Sequence, residues 1–173
     1  MPDAAQRQII RDGAIVDDAW IHVGDEEALP ARGDVILGHD RWLTEREGLR
    51  DYPGRIGVCI RGDTPLDEVI PELDNLALIA LEFPAFKDGR CYSHARVLRM
   101  RYGFEGELRA VGDVLRDQLA YMARVGINAY ELRSDRSMED ALNAFSEFSV
   151  HYQLNPFGPT PRELRRRGAV PAR

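Results

Sequence analysis

Arginines and carboxylates recur where apolar runs of this sequence end, in "IRGD", "LEFP", "ELRAVGD" and "YELRSD". These strings bring Arg61, Glu82, Arg109, Asp113, Glu131 and Arg133 to comparable places in successive segments. The stretch "EFPAFKDGRCYSHAR", Glu82 to Arg96, adds Lys87, Asp88 and Arg90. Guanidinium groups are planar forks of N–H donors that match carboxylates and tetrahedral oxyanions, so such a set suits an anionic ligand. A carboxylate beside it, Glu82, Asp113 or Glu131, is the candidate acid or base if chemistry follows. The competing expectation is that these charges pair with one another on a solvated rim.

The other reactive side chains form no set. His22, His39, His94 and His151 lie in separate segments without ligand spacing, so no metal site is expected. His94 falls off the apolar stripe of its helix and is expected to be exposed. Cys59 and Cys91 belong to no C-x-x-C pair and cannot build a cysteine-ligated cluster within one chain. Cys91 shares a helical stripe with Ala95, Leu98 and Tyr102 and reads as a core residue. Gln118 falls on the apolar arc of its helix, where it needs a neighbouring backbone group as partner. No glycine-rich nucleotide fingerprint follows any apolar run, and no intrinsic cofactor is expected.

These residues must be positioned by alternating strands and helices. Asp12-Gly13 between "RQII" and "AIVDDAWIHV" predicts an N-terminal hairpin. Asp34 to Leu37 reads as a strand leading to a helix with Thr44 as its candidate cap. From Arg55 the pattern becomes regular, with "RIGVCIRGD" followed by Thr64-Pro65 as N-cap and N1 of a short helix. The nearly continuous apolar run "LALIALEFP" predicts a strand buried on both faces. Next come a helix closing at Gly103, the strand "GELRAVGD", and a helix capped by Asp113 that closes at Gly126. "INAYELRSD" and "SMEDALNAFSEF" add another strand and helix, and "SVHYQL" a last short strand. About four βα units in succession predict an α/β fold with a parallel sheet and right-handed crossovers, half-barrel-like or small and doubly wound. In such folds function gathers where strands end and helices begin, which is where the arginines lie.

Composition narrows the partners. The chain has 173 residues, 44% of them hydrophobic and 30% charged, enough for one globular domain, which we place at residues 1–154. Its net charge of −6 argues against nucleic acid. Residues 155–173, "NPFGPTPRELRRRGAVPAR", form a Pro- and Arg-rich tail with five arginines and one glutamate, leaving −10 on residues 1–154. The tail reads as a solvated extension or a docking arm for an acidic surface, a second copy of the chain included. Neither a signal peptide nor a membrane-spanning apolar run is present, so a cytoplasmic protein without a membrane partner is expected.

The segment "FPAFKDGRCYSHARVLRMRYGFEGELRAVGDVLRDQLAYMARVG", Phe83 to Gly126, resembles a bacterial family called domain of unknown function 934. The likeness extends over roughly Ile9 to Glu131, carried by F-P-x-F-x-D-G-R, Y-S-x-A-x-x-L-R, G-E-L-R-A-x-G-D-V and D-Q-L. The family is labelled as oxidoreductases of sulfite reduction, so the resemblance implies a place in sulfate assimilation; it carries over no catalytic residue. Sulfite, sulfate and adenylyl sulfate are oxyanions, which agrees with an arginine-rich rim. Multi-electron reduction of sulfite needs a haem-type macrocycle and an iron–sulfur relay, for which this sequence has no ligands.

Three functions therefore stand as expectations. One is an accessory protein of assimilatory sulfate or sulfite reduction, binding an oxyanion metabolite, a cofactor or the sulfite reductase through Arg61, Lys87, Asp88, Arg90, Arg109 and Arg133. Another is a small enzyme acting on an anionic substrate. The last is a structural subunit of an oligomer.

Overall fold

The computed structural model of the chain describes residues 7–85, 88–133 and 135–145. Lys87, the expected strand "SVHYQL" and the 155–173 tail lie outside the described residues. Asp12 and Gly13 take φ values of 52° and 77°, the left-handed pair that matches strand twist in a two-residue turn. They join β1 (Gln8–Arg11) to β2 (Ala14–Asp17) as an antiparallel hairpin. The sequence pattern extends this hairpin through Trp20–Val23, but that segment is a separate strand, β3, which pairs elsewhere.

From β3 onward, β4 (Asp34–Gly38), β5 (Ile56–Ile60), β6 (Leu78–Phe83), β7 (Glu107–Gly112) and β8 (Ala129–Tyr130) run parallel, each beside the last. β8 then pairs antiparallel with β1, giving the order β2-β1-β8-β7-β6-β5-β4-β3. The two edge strands are neighbours in sequence, separated by Asp18 and Ala19. In a flat sheet the edges would lie roughly 34 Å apart at about 4.8 Å per strand, whereas this link reaches about 10 Å. The sheet must therefore curl until its edges meet at Asp18. The result is a mixed α/β fold, an N-terminal hairpin and a mostly parallel sheet curled into a half-barrel.

Side-chain alternation divides the strands between two cores. Val35, Leu37, Val58, Ile60, Ile79 and Leu81 belong to the large core shared with the helices, whereas Ile36, Leu78, Ala80 and Val111 meet Trp20 on the concave face. The helices α1 (His39–Glu45), α2 (Arg90–Met100), α3 (Leu119–Arg124) and α4 (Met138–Ala144) pack on the convex side. Among the described residues, no helix is long and apolar enough to cross a membrane.

Several local expectations are corrected. α1 starts directly after β4, and Thr44 lies inside it, donating its hydroxyl to the Asp40 carbonyl. Thr64-Pro65 opens 3-10 turns, Leu66–Glu68 and Ile70–Asn75, because Pro71 cannot supply an α-helical N–H. The stripe of α2 buries Cys91, Ala95 and Leu98, but Tyr102 lies past the helix end and is exposed. After Asp113 the chain forms a 3-10 turn, Arg116–Gln118, before α3 begins, and the buried Gln118 accepts the Leu115 N–H as the sequence required.

The concave face also holds charge. Arg109, expected at the rim, is 0% exposed in the middle of β7. Its two terminal nitrogens donate to Asp18 at 2.9 and 3.0 Å, and its Nε donates to Glu107 at 2.7 Å. Burial alone would raise the Asp18 carboxyl, but the hydrogen bonds and charge of Arg109, the Trp20 N–H and Arg7 hold it below its usual range. Arg99 of α2 donates to the carbonyls of Phe104, Gly106 and Gly126 and to the Asn128 side chain.

Asp18→Asn removes the carboxylate that takes both terminal nitrogens of the buried guanidinium, leaving only Glu107 bonded to it, and is expected to cost about 3–5 kcal/mol in urea unfolding. Because the folded carboxyl is depressed, its stabilisation is full above the unfolded value of about 3.9 and is lost as pH falls through the folded value. Unfolding measured against pH should show a shallower acid-side decline in Asp18→Asn than in the wild type.

Candidate functional site

The ends of β4, β5 and β6 surround a cavity of about 530 Å³ lined by Gly38, His39, Cys59, Arg61, Thr64 and Glu82, with Asp25, Asp63 and Glu68 also on its wall. A tight turn fixes Arg61: its N–H donates to the Thr64 hydroxyl at 3.0 Å and its carbonyl accepts the Thr64 N–H at 3.1 Å. Its Nε donates to Glu82 at 2.9 Å, while the side chain stays 68% exposed. Both terminal amino groups of Arg61 are left without a bond among the described residues.

Gly62 brings a second arginine to this corner. A Cβ on Gly62 would lie 2.5 Å from the Arg90 Cβ, so a glycine is required where the β5 turn meets the start of α2. Asp88 accepts the Arg90 backbone N–H and chelates its guanidinium through Nε and a terminal nitrogen, at 3.0 and 2.7 Å. These bonds pull the Asp88 carboxyl down to about 2. Arg90 is therefore neighbour to Arg61 rather than to Arg109, and its side chain remains 56% exposed. His94, expected in solvent, is half-buried; its Nε2 donates to the Gly62 carbonyl at 3.1 Å, leaving a buried Nδ1 without a partner among the described residues. Burial lowers its imidazole below the usual value, with the Gly62 carbonyl opposing.

The remaining candidates belong to other clusters. Arg133 binds Asp113 at 3.0 Å and Asp135 at 2.9 Å, using all of its donor nitrogens. Glu131 meets His22 at 3.0 Å and Arg7 at 2.8 Å, with Arg109 at 3.9 Å. Burial would raise the Glu131 carboxyl, but the His22 hydrogen bond and the charges of His22, Arg7 and Arg109 hold it below its usual range. That suits a fixed anion of the concave face rather than an acid ready to donate a proton near neutral pH.

His39, set aside in the sequence for lack of ligand spacing, has no place among the expected rim residues. It stands between Asp40 at 3.2 Å and Glu68 at 3.1 Å on the cavity wall. Applying the strand-end rule to the β4–α1 junction would have found it, since His39 follows the last residue of β4. Among the described residues, no group of three or more His, Cys, Asp or Glu could hold a metal ion.

Residues 57–162 fit the model of a bacterial protein family of unknown function, DUF934, and the chain belongs to that family. No curated protein matches the chain.

Both cysteines border this region. Cys91 donates its thiol to the Glu82 carbonyl at 3.2 Å, and Cys59 lines the cavity, yet burial pushes both thiols up to about 12. At about pH 8 neither should form appreciable thiolate, so a dithiodipyridine reagent is expected to label no thiol in the native protein within minutes and both after denaturation. Rapid labelling of folded protein would contradict the raised thiol values and the assignment of Cys91 to the core.

Proposed function

We propose that this member of the family serves assimilatory sulfate or sulfite reduction as an accessory protein, holding an oxyanion metabolite at Arg61 while a partner, the sulfite reductase or another enzyme of the same assimilation, carries out the electron transfer. The observation that carries this reading is the posture of Arg61. Glu82 orients its Nε, its terminal amino groups, in a cavity at the strand ends, have no bond among the described residues, and Gly62 keeps Arg90 against the same turn. A guanidinium so held loses little further freedom on binding, which favours a planar or tetrahedral oxyanion over water. Asp25, Asp63, Glu68 and Glu82 oppose the anion, so affinity should be modest and should fall as salt screens the arginines. The paired state of Glu131 and Asp113 favours this binding role over acid–base chemistry at the rim.

In a strain whose growth on sulfate requires this gene, Arg61→Ala and Arg90→Ala are expected to abolish growth with normal soluble expression. Losing one charge-assisted contact should cost about 1.5–3 kcal/mol of binding, a tenfold to hundredfold loss. Arg96→Ala, on an exposed face of α2, is the matched control and should grow normally. Normal growth of both Arg61→Ala and Arg90→Ala would overturn the reading.

A further inference from the structure

We infer that the opposite end of the sheet carries a second binding site, for a planar aromatic molecule bearing an anionic group. The chain entering β5 and the chain entering β6 enclose a cavity of about 490 Å³, away from the strand-end rim. This volume lies within the range of small-molecule sites. Its apolar wall comes from Trp42 of α1 with Leu49, Ile56 and Leu76. Trp42 itself is nearly fully buried behind this wall, and the half-buried ring of Tyr52, which also lines the cavity, is the surface on which another flat ring can stack.

The polar groups of this cavity are divided by origin. Arg46 and Arg50 stand on the segment after α1, and neither has a carboxylate partner among the described residues. The Arg46 guanidinium carbon lies 6.0 Å from the Trp42 ring centroid, so cation and ring sit together. Arg55, also on the wall, is occupied by Asp34 through Nε and a terminal nitrogen. Glu72 and Asp74 come from the 3-10 segment before β6, facing the ligand with acceptors, and Glu72 also takes the Asn75 amide. The Tyr52 hydroxyl is buried and has no partner among the described residues. An orphaned buried hydroxyl carries a cost that a ligand acceptor would relieve. Together these groups suit a ring system with an anionic substituent toward Arg46 and Arg50 and an N–H toward the acidic wall.

Anilinonaphthalene sulfonate has this chemistry, and phenylnaphthylamine has the same rings and N–H without the sulfonate. Titrated into the full chain and followed by calorimetry, the sulfonate is expected to fill one site per chain with a dissociation constant below about 1 mM, and the neutral analogue to bind at least about tenfold more weakly. Arg46→Ala and Arg50→Ala, both surface changes, should each weaken sulfonate binding by about tenfold or more and leave the neutral analogue within about twofold. Arg61→Ala should leave both ligands unchanged, which separates this site from the rim. The inference is overturned if the sulfonate shows no saturable binding, if the neutral analogue binds equally well, or if Arg46→Ala and Arg50→Ala bind the sulfonate as the wild type does.

Discussion

The bidentate pairing of Arg109 with Asp18 on the concave face is the constraint around which this fold is arranged. Both side chains are fully excluded from solvent, on residues 91 positions apart in sequence. Asp18 occupies the short link where the two sheet edges meet, and Arg109 lies mid-strand in β7. Burying two charges is costly, and replacing such a pair with packed apolar groups is often neutral or stabilising. What the pair supplies is an arrangement, because only a sheet curled to one degree lets Asp18 satisfy both Arg109 and the Trp20 N–H. The arginine of residue 7 and the Glu131–His22 contact extend this bridge where β3 and β8 are not joined by backbone pairing.

That curl fixes the neighbourhood of the strand ends. Arg61 on the β5 side meets Glu82 from β6, and the start of α2 comes close enough to Gly62 that no side chain fits between. Each rim arginine acquires a carboxylate, so the rim is a set of oriented ion pairs rather than a free cluster of positive charge. Arg133 is saturated by its partners, whereas Arg61 is held by one nitrogen and keeps two for a ligand. Selectivity in the proposed binding role follows from this difference in spare donors more than from net charge.

Local chemistry carried much of this architecture into the sequence. Asp12-Gly13 named the hairpin because few other pairs accept successive positive φ values, and the apolar runs from Arg55 onward named the parallel strands through their β-branched residues and burial. A mostly parallel α/β sheet was legible from the succession of βα units, which left the half-barrel as one of two arrangements. The separation of Trp20–Val23 from the hairpin was not, because two residues at Asp18–Ala19 carry no turn signal, and only pairing with β4 distinguishes the two halves. Arg109 was misplaced for a related reason. It alternates with Leu108 and Ala110, which face the helices, so period alone puts it on the concave face, and the partner that makes burial tolerable there is remote in sequence. His94 likewise looked exposed on its helical wheel but reaches a carbonyl contributed by another segment.

The most direct test of the rim as an oxyanion site is a sulfite titration of the isotope-labelled protein followed by nuclear magnetic resonance of backbone amides and arginine side-chain Nε–H groups. The predicted result is saturable, salt-sensitive shifts at Arg61, Gly62 and Arg90, with the Nε–H of the buried Arg109 and of the fully paired Arg133 unmoved. Shifts that are absent, that never saturate, or that spread evenly over the surface arginines would contradict the site.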